Sequence, residues 1–79
     1  MTIDRNAELR RLNESDTHIA DTETRITKQE IMVEQLRRDG HDTKEAERLL
    51  RTARESLGAM QQHRSAIVDV LAKIDAGLI

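Results

Sequence analysis

Three histidines, His18, His41 and His63, are the first residues in this sequence that could hold a metal ion or move a proton. His18 and His63 would approach each other if the chain doubled back on itself. Their neighbours do not complete a site. Di-iron bundles use Glu-x-x-His on facing helices, whereas the residues three before His18 and His63 are Ser15 and Met60. A His-Glu-x-x-His run is missing too. The absence of cysteine excludes a thiolate nucleophile, a thiolate metal site and a disulfide. No nucleophile with a base, no glycine-rich phosphate loop and no paired-carboxylate cleft can be read. Gly58 stands alone in a helical pattern, where glycine costs about 1 kcal/mol relative to Ala and suggests a close helix approach. The expectation is a protein that is not an enzyme and carries no cofactor or metal.

A basic cluster is the second constellation with chemical potential: Arg37, Arg38, Lys44, Arg48, Arg51 and Arg54 crowd the middle of the chain. Such a cluster could meet a phosphate backbone. Glu34, Glu45, Glu47 and Glu55 interleave it at helical spacings, which predicts a solvated, salt-bridged face instead. The chain has no aromatic residue to stack on a base, and its formal net charge is −2. A small nucleic-acid-binding hairpin using the basic residues beside the turn is therefore the alternative reading, not the first.

The elements that would position these residues are helices. Charged residues make up 35% of the 79 positions, proline is absent, and Leu, Ala, Glu, Arg and Gln are plentiful. That is the composition of long helices and coiled coils, with a core of aliphatic residues and Met. In the second half, alternating steps of three and four pick out Ala46, Leu50, Ala53, Leu57, Met60, Arg64, Ile67, Leu71, Ile74 and Leu78. Nine of these ten are apolar where 37% overall would predict about four, so the pattern is a sustained heptad seam. Leu49 and Val70 widen it on one flank, with Ser56 and His63 between them. In the first half, Leu12, Ile19, Ile26 and Val33 recur every seven residues and Leu9, Met32 and Leu36 extend the face. The companion row there is polar, with Ser15, Thr22 and Gln29. The stretch Asn13–Thr17 has poor helix propensity, and a bend there is weighed against the expected continuous helix.

Between the halves, Gly40 suits the left-handed position after a helix end, with Arg37 and Arg38 favouring the negative end of the helix dipole. Asp42 or Thr43 then caps the next helix, and Asp42 as cap would place Glu45 in a capping-box arrangement. So short a turn, residues 40–42, forces an antiparallel hairpin with helix 1 over about 4–39 and helix 2 over about 43–76. Each arm would be roughly 50 Å long at 1.5 Å per residue. Val33 then faces Leu49 and Leu50, Gln29 faces Ala53, Thr22 faces Met60, and Arg64 lies level with Ile19. Arg64, with His18 and His63 nearby, forms a polar layer. Its guanidinium either reaches Asp16 or Glu23 at the surface or fixes register and oligomer state from within.

The fold class expected is all-α: a single domain over 1–79, a coiled-coil-like two-helix hairpin. Its wide stripe predicts dimerisation into a four-helix bundle, so the first partner is a second copy, and the outer face is free for another protein, in a regulatory adaptor for example. The N-terminus Met1-Thr2-Ile3-Asp4-Arg5-Asn6 shows no secretory apolar stretch, and no segment spans a bilayer, so the cytoplasm is the compartment expected. His18-Ile19, Ile26, Gln29, Leu36, the turn Gly40-His41-Asp42-Thr43, Ala46, Leu49-Leu50, Leu57, Met60 and His63-Arg64 together resemble short uncharacterised bacterial proteins of this hairpin pattern. The resemblance spans roughly residues 18–67. It implies the hairpin and carries over no site, ligand or activity.

Overall fold

Helix α1 spans Arg5–Arg38 and helix α2 spans Lys44–Asp75. This computed structural model describes residues 4–79; Met1, Thr2 and Ile3, the start of the N-terminal stretch read above, lie outside the described residues. The helices run antiparallel and pack on each other in a body of 59 × 18 × 15 Å, with no strand among the described residues. The fold is an all-α helical hairpin.

Each helix ends one residue inside the range read from sequence, because the flanking residues act as caps. Asp4 takes an extended backbone (φ −91°, ψ 114°) and its carboxylate accepts the Asn6 N–H at 2.9 Å. At the other end Gly40 adopts φ +76°. Its N–H donates to the Arg37 carbonyl at 3.1 Å and that of His41 to the Leu36 carbonyl at 2.8 Å, the two bonds of a Schellman motif. Gly77 (φ +74°) repeats the motif after α2, with Leu78 donating to Lys73 at 2.9 Å. Leu78 thus leaves the seam and is 71% exposed.

Thr43 is the cap residue of α2, yet its side chain makes no capping bond; the Asp42 carboxylate accepts the Lys44 N–H at 3.0 Å. The expected capping box does not form. With Thr43 as the cap, Glu45 is the second helical residue and not the third that the box requires, and its carboxylate accepts two N–H groups from Arg48, one at 3.0 Å. Helix α1 continues without a break through Asn13–Thr17. The Thr17 hydroxyl donates to the Asn13 carbonyl at 3.1 Å, and Thr24 and Thr27 donate likewise to Ala20 and Glu23. A polar β-branched side chain is thereby satisfied inside its own helix.

Ile26, Val33, Ala46 and Leu50 form the core beside the turn, with Leu36, Ala53 and Leu57 packed against it. Ile67 and Leu71 are buried towards the open end, while Met60, Arg64 and Ile74 are half-buried. Two expectations need correction here. Leu12 and Ile19 are only half-buried, whereas Glu8, Ser15 and Thr22 are buried, so the row α1 turns most fully inward is its polar one. A straight helix drifts about 20° per heptad against a seven-residue repeat, so the central row changes along so long an arm. Leu49 is 46% exposed, because Leu50, about 100° further round the helix, takes the place beside Val33.

Gly58 lies inside α2 with nothing within 4 Å of where a Cβ would stand, so it serves no close approach between the two helices. Gly58→Ala should therefore stabilise the hairpin by about 1 kcal/mol. A circular-dichroism melt should rise by about 4–8 °C; a lower midpoint would mean that the new methyl group meets a surface outside this chain.

Candidate functional site

The two sides of the hairpin, left and right of the helix–helix seam, differ in kind. Asp16, Glu30 and Arg37 share one heptad column of α1, and Glu47, Arg54 and Asp75 share one of α2. Every interhelical ion pair among the described residues draws on these columns: Arg5–Asp75 at 2.8 Å, Asp16–Arg64 at 2.6 Å, Glu30–Arg54 at 3.7 Å and Arg37–Glu47 at 2.8 Å. The groove on this side, of about 480 Å³, is lined mainly by charged residues, including Glu34 and Arg51.

The opposite side carries none of these pairs. Its columns are Arg11, His18, Arg25 and Met32 on α1 and Leu49, Ser56, His63 and Val70 on α2. A groove of about 330 Å³ lies mid-arm between His18 and His63, floored by Ser15, Ala59 and Met60 and edged by Arg11 and Glu14. It continues past His18 and Met60 to Asp21, Thr22 and Arg25. Met32 (49% exposed) and Leu49 add apolar surface nearer the turn. The structure thus brings His18 and His63 to one groove, both exposed. Arg64 stands apart from them: it is half-buried, with its guanidinium on Asp16 at the ion-paired side.

The polar groups inside the seam find partners there. The Thr22 hydroxyl donates to Met60 Sδ at 3.3 Å, at the level expected from sequence. Gln29, expected opposite Ala53, instead donates from Nε2 to the Ala46 carbonyl at 3.1 Å. A half-buried amide needs an acceptor, and a helical carbonyl keeps a second lone pair. Glu8 was missed altogether. It is 8% exposed and held by Arg11 at 2.6 Å; its only signal in the sequence is its place seven residues before Ser15.

No three His, Cys, Asp or Glu side chains converge as metal ligands among the described residues. The shifted ionisable groups are exposed ion-pair members. The hydrogen bond from Arg48, with its charge adding, holds the Glu45 carboxyl below its usual range. Arg5 does the same to Asp75, chiefly through its hydrogen bond, against slight desolvation. No described helix is long and apolar enough to cross a membrane. Comparison with protein-family models, with curated proteins and with solved structures gives no match. One side thus carries the interhelical ion pairs, and the other carries the histidine groove, with its charged residues on α1.

Two predictions follow the ion pairs. A depressed carboxylate stabilises the fold above the unfolded carboxylate range, near pH 4, and loses that contribution as pH falls through its lower folded value. Carboxyl NMR titration should place the Asp75 midpoint below the ordinary aspartate value, and Arg5→Gln should move it up; identical midpoints would show the two uncoupled. Asp16→Asn removes an exposed partner of Arg64 while the arginine stem stays packed. The urea midpoint should report a loss below about 1 kcal/mol, and a larger one would make Arg64 a buried specificity residue.

Proposed function

We propose that this chain is a non-catalytic, self-associating module: two hairpins paired as a homodimeric four-helix bundle in the cytoplasm, whose outer face engages another protein. The observation that carries this reading is that no large side chain among the described residues is fully enclosed. Aliphatic residues at the seam, Leu12, Ile19, Leu57, Met60 and Ile74, remain partly open to solvent. A chain of 79 residues without a disulfide gains little from so thin a core, and small domains of this kind commonly complete themselves by oligomerisation. An isologous pair is the simplest closed assembly. A bacterial setting is suggested by the residue resemblance alone, and a cysteine-free chain suits a reducing compartment.

The nucleic-acid reading ranks second, because its arginines are largely occupied. Arg37 holds Glu34 and Glu47, Arg48 holds Glu45, and Arg54 holds Glu30. These acids would repel the phosphates that the arginines attract.

Size exclusion with light scattering should return twice the 9.1 kDa chain mass at micromolar concentration. A helical melt should shift upward as the protein is concentrated, as mass action requires of an intermolecular core. A chain that stays monomeric and still melts cooperatively would overturn the reading.

A further inference from the structure

The two sides of the hairpin are unequal candidates for the contact between copies. We propose that a second copy of this chain docks antiparallel across the side bearing Met32, Leu49, Ala59 and His63, leaving the ion-paired side outward. This rests on the self-association reading and specifies its surface.

Three features of this side fit such an occupant. From Leu49 to Val70, α2 presents Leu49, Thr52, Ser56, Ala59, His63 and Val70, a strip six turns long without an acid, lysine or arginine. Small side chains there let another helix approach closely, and the mid-arm groove beside Ala59 and Met60 gives its side chains somewhere to enter. The area also suits a dimer. A side of 59 Å by 15–18 Å presents on the order of 900 Å² in projection, against the roughly 800 Å² per partner of a standard stable interface.

Charge then selects the direction. On the edge of this side, α1 carries Glu14 and Asp21 from its open-end half to its middle, then Arg25 and Lys28 on the half nearer the turn. A two-fold axis perpendicular to the long axis, near the arm centre, sets α1 against α1 of the other copy in the reverse direction. Glu14 of each copy then lies level with Lys28 of the other, Arg25 falls beside His18, and the two Asp21 carboxylates meet near the axis with Arg25 of the opposite copy about one turn away. Arg11 is already held by Glu8. The ion-paired side offers no such complementarity, since docking there would desolvate charges whose partners are already in place.

The test uses the full chain and light scattering across a concentration series, with circular dichroism confirming helicity of each variant. Ala59→Glu puts a charge at the centre of the proposed interface without touching the hairpin's own seam, and should reduce the mass to one chain. Gln61→Glu adds the same charge on the opposite side, one heptad after Arg54, and should leave the dimer intact. Lys28→Glu should weaken association about tenfold, and Glu14→Lys combined with it should restore association. Those two positions are about 21 Å apart along one helix, so restoration can only pass between copies.

A dimer that survives Ala59→Glu, one that dissociates with Gln61→Glu, or a charge swap that restores nothing would overturn this interface while leaving self-association in place. A parent chain that is itself monomeric would overturn self-association and the interface together.

Discussion

Two helices touching along one line can each hide only the side chains on that line, and in α1 the line runs through Glu8, Ser15 and Thr22 before it reaches Ile26 and Val33 beside the turn. Opposite them stand the aliphatic residues of α2. The intrachain seam is therefore asymmetric: one helix supplies most of the apolar surface and the other supplies small polar side chains that let it come near. Thr22 resolves its half of this mismatch by donating to a thioether, and Gln29 by reaching a backbone carbonyl. These bonds avoid a penalty more than they add stability, since a buried donor left unmade costs about 1–3 kcal/mol. The thinness of the core follows from this seam, and the half-open aliphatic residues follow from the thin core.

The turn enforces the arrangement without depending on the core. Gly40 occupies a backbone region closed to most side chains, and two Schellman bonds tie the residues after α1 to its last turn. Asp42 then satisfies the first free amide of α2. Only five residues, 39–43, separate the helices, so the second has nowhere to go but back along the first. At the far end Arg5 and Asp75 close the hairpin through an exposed pair, which sets register more than it adds stability.

What could be read from the residues follows from how local each signal is. Gly40 between two basic helix ends, the absence of proline and the heptad from Ala46 to Ile74 act within a few residues, and they place both arms to within one residue of their observed ends. Which row of α1 faces inward is decided by the slow rotation of a long helix against its partner, and no single residue announces it. The half-buried Leu12 and Ile19 and the buried Glu8 come from that one global quantity. The capping box failed for a different reason: Asp42 and Thr43 both suit a cap by residue type, and α2 begins after Thr43, which puts Glu45 one position too early for the box. His18 and His63 meet at one groove because both sit one step off the seam at matching levels, whereas Arg64, on the seam itself, turns to the other side to reach Asp16.

This last divergence shows how the two sides acquire different characters. A long cation on the seam of a thin hairpin has a short path to water in either direction, and the acid available decides which it takes. Asp16, Glu23 and Glu30 occupy one column of α1, and Arg64 and Arg54 of α2 are drawn to that side, onto Asp16 and Glu30. The column on the other side of α1 contains no acid, only Arg11, His18, Arg25 and Met32, and the matching column of α2 contains no acid, lysine or arginine. Gathering the interhelical ion pairs on one side leaves the α2 strip of the other without acids, lysines or arginines, and covering that strip removes little hydration, while the charges at its α1 edge stay free to pair between chains. The charge pattern that holds the two helices in register within one chain is also what makes one side the less costly to cover with another.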